Sequence, residues 1–298
     1  ININGDNSVG MYGLSEDSVN PTKNGLSGIS LIQDASAVIN VNGQESAGIY
    51  GINLRSIAGK SYIINNSGLI NVKDKESIGI YSENVKVTGI GTINLGDTAL
   101  STAGDRTAIY AKGQEALVTT TGAVIKLGTA DQTNIAYYIT ENAGLTGSNP
   151  GNITGYGIII AGKNTEISNS KINMNIAGGN GQIGLAILGT NNYSYTGDIS
   201  VADTVVNGTD KYYGVAMYTG DQNTSSTISN KLTAGANGVG LYAGGNTGST
   251  LTYNGEITVG NGTAAGTGIF VKSGSEVTLA SGGKIHLAGV NGVGVYVE

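Results

Sequence analysis

The sequence predicts an all-β fold: a right-handed parallel β-helix (solenoid) of about ten coils, with three short strands per coil. Three observations lead there. A triplet of small residue, aliphatic residue and usually tyrosine returns along the whole chain; a second unit, Gly-x-Ile-x-Val/Leu, precedes many of these triplets by about nine residues; and Gly, Asn, Asp and Ser crowd the intervals. The triplets read Gly10-Met11-Tyr12, Gly48-Ile49-Tyr50, Gly79-Ile80-Tyr81, Ala108-Ile109-Tyr110, Ala136-Tyr137-Tyr138, Gly157-Ile158-Ile159, Ala186-Ile187-Leu188, Ala216-Met217-Tyr218, Gly240-Leu241-Tyr242, Gly268-Ile269-Phe270 and Gly294-Val295-Tyr296. From Tyr12 to Tyr296 ten steps cover 284 residues, a mean of about 28. A fixed period in this range marks a repeat array, whose units bury their apolar faces only by stacking on one another.

Each repeat resolves into three strand signals. In Val38-Ile39-Asn40-Val41, Gly68-Leu69-Ile70-Asn71-Val72 and Gly91-Thr92-Ile93-Asn94-Leu95 apolar and polar residues alternate, which places Ile and Val inside and Asn outside. The same pattern recurs around Ile199, Ile257 and Ile285. In the triplet strand Val215, Met217, Leu185 and Ile187 are expected inside, with the tyrosines stacked at one strand spacing on the outer face or at a corner; tyrosines turned inward are the competing assignment. A weaker third strand follows a polar turn, as in Lys86-Val87-Thr88, Ala116-Leu117-Val118-Thr119, Ser249-Thr250-Leu251-Thr252-Tyr253 and Glu276-Val277-Thr278-Leu279. Tyr193, Tyr195 and Tyr253 on this strand are expected to face out. Gly and Asn in the turns accept the left-handed backbone that sharp corners demand. About ten coils at a spacing of ~4.8 Å make a rod on the order of 50 Å long.

Composition narrows the function classes. The repeat runs through 1–298 without a break, so one domain is expected. Fifty glycines accompany only Pro21 and Pro150 and keep no three-residue period, which excludes collagen. The hydrophobic share of 39% suffices for a continuous core. A net charge of −6 and the lack of any basic cluster argue against nucleic acid and against an anionic membrane surface. No apolar run is long enough for a transmembrane helix, so direct membrane insertion is not expected. The chain opens inside a repeat and closes two residues after an anchor, which suggests a piece of something longer. Cysteine is absent, and with it disulfides and thiolate metal sites.

The regularity is interrupted near 96–106, 139–155 and 202–213, and insertions in solenoids map to loops on one side of the rod, often the binding side. Within or beside these stretches Asp105 and Arg106, Tyr137 and Tyr138, and Asp210, Lys211, Tyr212 and Tyr213 are the candidate ligand-binding residues. Paired tyrosines present aromatic area with a polar tip. Catalysis has weaker support. His286, the single histidine, alternates with Ile285 and Leu287 and is expected in solvent. The 21 acidic residues are scattered and form no recognisable acid–base pair. No enzyme activity, metal or cofactor is expected. A polysaccharide lyase or hydrolase of β-helix fold stays the alternative, because carboxylates from neighbouring coils can meet in space.

The recurring Gly-Ile-Tyr and Gly-x-Ile-Asn-Val units, in a cysteine-free chain rich in Gly, Asn, Thr and Ser, resemble the passenger repeats of large fusobacterial type V (autotransporter) adhesins, the RadD-like group. The resemblance spans the chain, is best over 37–112 and 236–298, and fades over 130–215, where the anchors read Ile159 and Leu188. It implies export across the outer membrane through a C-terminal barrel and display at the bacterial cell surface. It further implies attachment to host glycans of Gal/GalNAc type, to host receptor proteins, or to surface proteins of partner bacteria. No binding residue can be carried over, since no short motif supports one. A purely structural stalk is the competing reading.

Overall fold

Each Ile-Asn-Val unit forms a strand, and every strand lies parallel to its counterpart one repeat away, so like residues meet in columns. The computed structural model describes residues 1–15, 28–54, 61–96, 106–127, 134–146, 152–154, 159–161, 166–167, 176–178, 183–188, 192–193, 198–207, 210–220, 226–244 and 250–298. Of these, 152–154, 159–161, 166–167, 176–178, 188, 192–193, 207, 210–212 and 226 are described by backbone alone.

The architecture is an all-β parallel β-solenoid of about six turns, with no helix among the described residues. Over those turns, from Asn2–Ile3 to Glu166–Ile167, the chain passes in rotation through three sheets. The asparagine sheet has six strands: Asn2–Ile3, Val38–Val41, Leu69–Val72, Thr92–Leu95, Val124–Leu127 and Asn152–Thr154. A seven-stranded sheet starts at Ser30–Gln33 and ends at Asn192–Tyr193. The tyrosine sheet has 11 strands and runs from Val9–Ser15 through Ala47–Asn53, Ile78–Glu83, Thr107–Lys112, Ile135–Thr140, Ile159–Ala161, Ile183–Leu188, Val215–Gly220, Val239–Gly244 and Thr267–Val271 to Val293–Val297. Further along, a five-stranded parallel sheet from Ile176–Gly178 to Lys284–Leu287 and a three-stranded one from Ser226–Ile228 to Glu276–Leu279 flank it.

Burial follows the alternation. Ile39, Ile70, Ile93 and Ile125 stack in register inside the asparagine sheet, next to Val41, Val72, Leu95 and Leu127, and all are buried. Each fully buried side chain of this size contributes about 1.5–3 kcal/mol relative to exposure. On the outer face Asn40 Nδ2 donates to Asn2 Oδ1 (2.7 Å), Asn71 to Asn40 (2.8 Å) and Asn94 to Asn71 (2.9 Å). An amide is self-complementary, since its NH2 donates while its oxygen accepts, so a column of asparagines bonds to itself.

The tyrosines do the same with rings. Tyr12, Tyr50, Tyr81, Tyr110 and Tyr138 stack at centroid distances of 5.8, 4.3, 5.3 and 5.0 Å. Tyr218, Tyr242, Phe270 and Tyr296 form a second stack at 5.2, 4.6 and 5.1 Å. Both stacks lie on the outer face, the first of the two assignments that the sequence leaves open. The small residue of the triplet turns toward the asparagine sheet or its C-terminal counterpart. A Cβ on Gly268 would stand 2.4 Å from Ile285 Cγ2 and 2.6 Å from the Gly294 carbonyl. A backbone with positive φ five residues before the ring turns the corner into this strand, at Asn7, Glu45, Glu76, Asn237 and Asn291.

Several expectations need correction. The tyrosine column continues through Ile160 and Ala186, not Ile159 and Leu188, because Tyr138 pairs with Ile160 and Ala186 with Tyr218. The triplet there is Gly184-Leu185-Ala186; a shift of two residues keeps the same face inward, so Leu185 and Ile187 are buried all the same. Val215 is buried but lines the outer face of its sheet. Tyr253 points inward and is fully buried, with its hydroxyl donating to Asn230 O at 2.6 Å. The side chain of Tyr193 and all of Tyr195 lie outside the described residues. The supposed insertion at 139–155 holds regular elements: the end of Ile135–Thr140, a turn with positive φ at Glu141 and Asn142, and the strands Gly144–Thr146 and Asn152–Thr154.

Overpacking tests the packing of the small residue. Gly268→Val is expected to lower the stability measured by urea denaturation by about 1–3 kcal/mol or more. Gly294→Val, where an added Cβ meets nothing within 4 Å, should change it by no more than about 0.5 kcal/mol.

Candidate functional site

The predicted binding residues separate into three groups. Arg106 and Tyr137 are fully buried and are corrected as surface contacts. Arg106 stands at the corner occupied by Ser8, Ser46 and Ser77 in earlier turns. Ser77 Oγ donates to Gly43 O (2.9 Å), and Arg106 Nε likewise donates to Lys73 O (3.2 Å), so the guanidinium caps a turn carbonyl from inside. Tyr137 occupies the inward aliphatic column, paired with Ile109. Its hydroxyl is buried without a hydrogen-bond partner. Tyr138 ends the first ring stack on the outer face. Asp105 lies outside the described residues, as does 97–105 as a whole. Asp210, Lys211 and Tyr212 form one strand of an antiparallel hairpin with Val205–Asn207, described by backbone alone.

Tyr213 is the predicted residue that reaches a defined site. It follows the hairpin, is 48% exposed, and sits five residues before Tyr218, where other turns carry Asn237 and Asn291. There it walls a groove of about 860 Å³ along the outer face of the tyrosine sheet. One side is the ring column Tyr218, Tyr242, Phe270 and Tyr296; the other is the registered column Val215, Val239, Thr267 and Val293. Between the columns lie the recessed triplet residues Ala216, Gly240, Gly268 and Gly294, which is why a trough exists. Asn237 and Asn291 add amides at the rim.

The hairpin is clipped at its foot. Ala236 N donates to Asp203 Oδ1 (2.6 Å), Thr204 Oγ1 donates to Asn237 O (2.7 Å), and Gly214 N donates to Thr204 Oγ1 (3.1 Å). Its position is thereby tied to the next turn before any ligand arrives. Because the rings spend their faces on one another, the trough presents ring edges, hydroxyls, amides and aliphatic surface. That chemistry suits an extended ligand with both apolar and hydrogen-bonding faces. The hairpin region was legible as an irregular loop; the valine column and the Asn237/Asn291 rim were missed, although the asparagines five residues ahead of Tyr242 and Tyr296 mark the rim. Among the described residues no group of three or more His, Cys, Asp or Glu stands together to hold a metal. His286 is exposed on Lys284–Leu287. Comparison with family models, with curated proteins and with solved structures yields no match.

Four phenols are held protonated beyond the usual range. Burial raises Tyr81, reinforced by its hydrogen bond to Glu83 (2.9 Å) and that carboxylate's charge. Burial also raises Tyr110, Tyr137 and Tyr253, with Tyr138 adding to the first and Glu256 to the last. The folded state therefore keeps these protons more tightly than the unfolded chain. Their stabilising contribution is complete below the ordinary tyrosine pKa of about 10 and is lost as the pH climbs above it. Urea midpoints should fall between pH 8 and pH 11, and the 295 nm absorbance of these phenolates should rise only as the chain unfolds. Tyr137→Phe removes an unpaired buried hydroxyl and should be neutral or stabilising by about 1 kcal/mol at pH 8, with a shallower alkaline loss.

Proposed function

We propose that this chain is part of a bacterial surface adhesin, an autotransporter passenger that attaches cells to host glycans, host receptor proteins or the surface proteins of partner bacteria. In this reading the winding is right-handed and continues through the whole chain as about ten coils of three strands. It serves as a rod that carries the groove away from the outer membrane, and its action is binding, without catalysis or cofactor. The observation that supports attachment is the groove itself: an aromatic-edged trough on one face of a solenoid, walled by a hairpin that departs from the repeat. The first ring stack, from Tyr12 to Tyr138, favours a stalk role for the N-terminal portion, because its faces are engaged in stacking and stiffen the rod.

The test uses beads or cells displaying the chain, scored for attachment to epithelial cells and to partner bacteria. Tyr213→Ala, at an exposed position, should leave the melting temperature unchanged. It should weaken attachment about tenfold or more, the range of an aromatic interface anchor. Replacing 205–212 with a short Gly-Ser turn should abolish it. Attachment unchanged in both variants overturns the groove as the contact and leaves the stalk reading.

A further inference from the structure

One pair in the first ring stack is set apart from the rest. Tyr50 and Tyr81 are in register on Ala47–Asn53 and Ile78–Glu83, with ring centroids 4.3 Å apart and planes 6° from parallel. The remaining tyrosine pairs of the two stacks stand at 5.0, 5.2, 5.3 and 5.8 Å. In the second stack Phe270, which has no phenol, separates Tyr242 from Tyr296. Tyr50 and Tyr81 are half-buried, and each has a further ring stacked against it, Tyr12 on the first and Tyr110 on the second.

Tyr81 also carries a proton acceptor. Its hydroxyl donates to Glu83 Oε2 at 2.9 Å, and that oxygen lies 3.2 Å from Lys112 Nζ on the adjacent strand, so the carboxylate is fixed from both sides. Burial and the same carboxylate hold the phenol in its protonated form. Taking an electron from Tyr81 therefore requires moving its proton as well, and the acceptor already stands within hydrogen-bond reach. A stack of rings alone would be a stiffener, and a tyrosine bonded to a glutamate alone would be an ordinary surface pair. The shortest tyrosine contact and a fixed proton acceptor on the same phenol make a site suited to one-electron chemistry.

We propose that Tyr50 and Tyr81 form an oxidative modification site, where a haem peroxidase supplied with hydrogen peroxide joins them into a biphenol bridge. Tyr81 gives one electron to the peroxidase and its hydroxyl proton to Glu83, which passes it on to water. Tyr50 gives a second electron to the peroxidase and its hydroxyl proton to water. The two phenoxyl radicals form one carbon–carbon bond between the ring positions beside their oxygens. The hydrogens on those two carbons then move to the oxygens, restoring both hydroxyls and both aromatic rings. The two electrons and two protons released reduce one hydrogen peroxide to two waters. Rings this near and this parallel need only a small side-chain rotation to bond, while the flanking rings of Tyr12 and Tyr110 keep water from their outer faces. Tyr12, 56% exposed, offers an oxidant access to the head of the stack, from which the electron vacancy passes ring to ring toward the phenol that can shed its proton. The product is a covalent staple across two consecutive turns. It stands apart from the adhesive reading, since neither ring lines the groove.

The experiment treats the 298-residue chain, in dilute solution, with a haem peroxidase and a small molar excess of hydrogen peroxide, then digests it for mass spectrometry. The peptides bearing Tyr50 and Tyr81 should be recovered joined, two hydrogens lighter than their summed mass, with the undigested chain still at monomer size. Glu83→Gln, whose amide oxygen still accepts from the phenol but takes no proton, should lower the yield of that pair about tenfold at equal peroxide with an unchanged melting curve. Tyr81→Phe should remove the pair, whereas Tyr110→Phe and Tyr213→Ala should leave it in place. Hydroxylated tyrosines without the linkage, linkage only between chains, linkage spread evenly over the tyrosine pairs, or an undiminished yield in Glu83→Gln would each overturn the proposal.

Discussion

Along the parallel sheets each strand residue meets its counterpart in the neighbouring turn one strand spacing away, and the rest of the structure answers to that constraint. A column survives only if its residue tolerates a copy of itself at ~4.8 Å. Isoleucine and valine do so by dispersion, asparagine by donating one way and accepting the other, and tyrosine by offset stacking worth about 0.5–1.5 kcal/mol per pair. Like charges do not. Charged residues make up only 12% of the chain, and where they enter neighbouring strands they come in opposite signs. Lys112 lies in register with Glu83 and bonds it at 3.2 Å, and Lys284 is paired with Glu256.

The same constraint decides what was readable in the sequence. Columns repeat in the letters, so strands, their parallel stacking and the inward Ile and Val were legible from spacing and alternation alone. Legibility failed where a column changes occupant. Tyr137 looked like half of an exposed aromatic pair, yet the registered partner is Ile109, and inward position outranks residue type. Arg106 looked like a loop cation, but it stands in a serine column and reaches the same kind of carbonyl from a longer arm. Tyr253 joined a polar-looking third strand while its hydroxyl found Asn230 O inside. In each case the deciding fact is a contact with a residue about one repeat away, which local pattern does not contain.

The small residue of the triplet carries a double load. Inside, it lets the chain turn the corner without driving a Cβ into the next turn's carbonyl, as at Gly240, where the distance would be 2.7 Å. Outside, its recession leaves a trough between the aliphatic column and the rings. Its inward turn serves core packing, and a larger residue there strains the stack on the inner side.

A perfectly periodic surface is a poor receptor, because a ligand lying along it finds several equivalent positions one strand apart and no register among them. Selectivity requires a break in the translation. The hairpin supplies one, clamped through Asp203 and Thr204 to the following turn, and it sets Tyr213 where other turns carry asparagine. Recognition in a solenoid is therefore sought where a column changes its occupant, and the uninterrupted columns hold those places still.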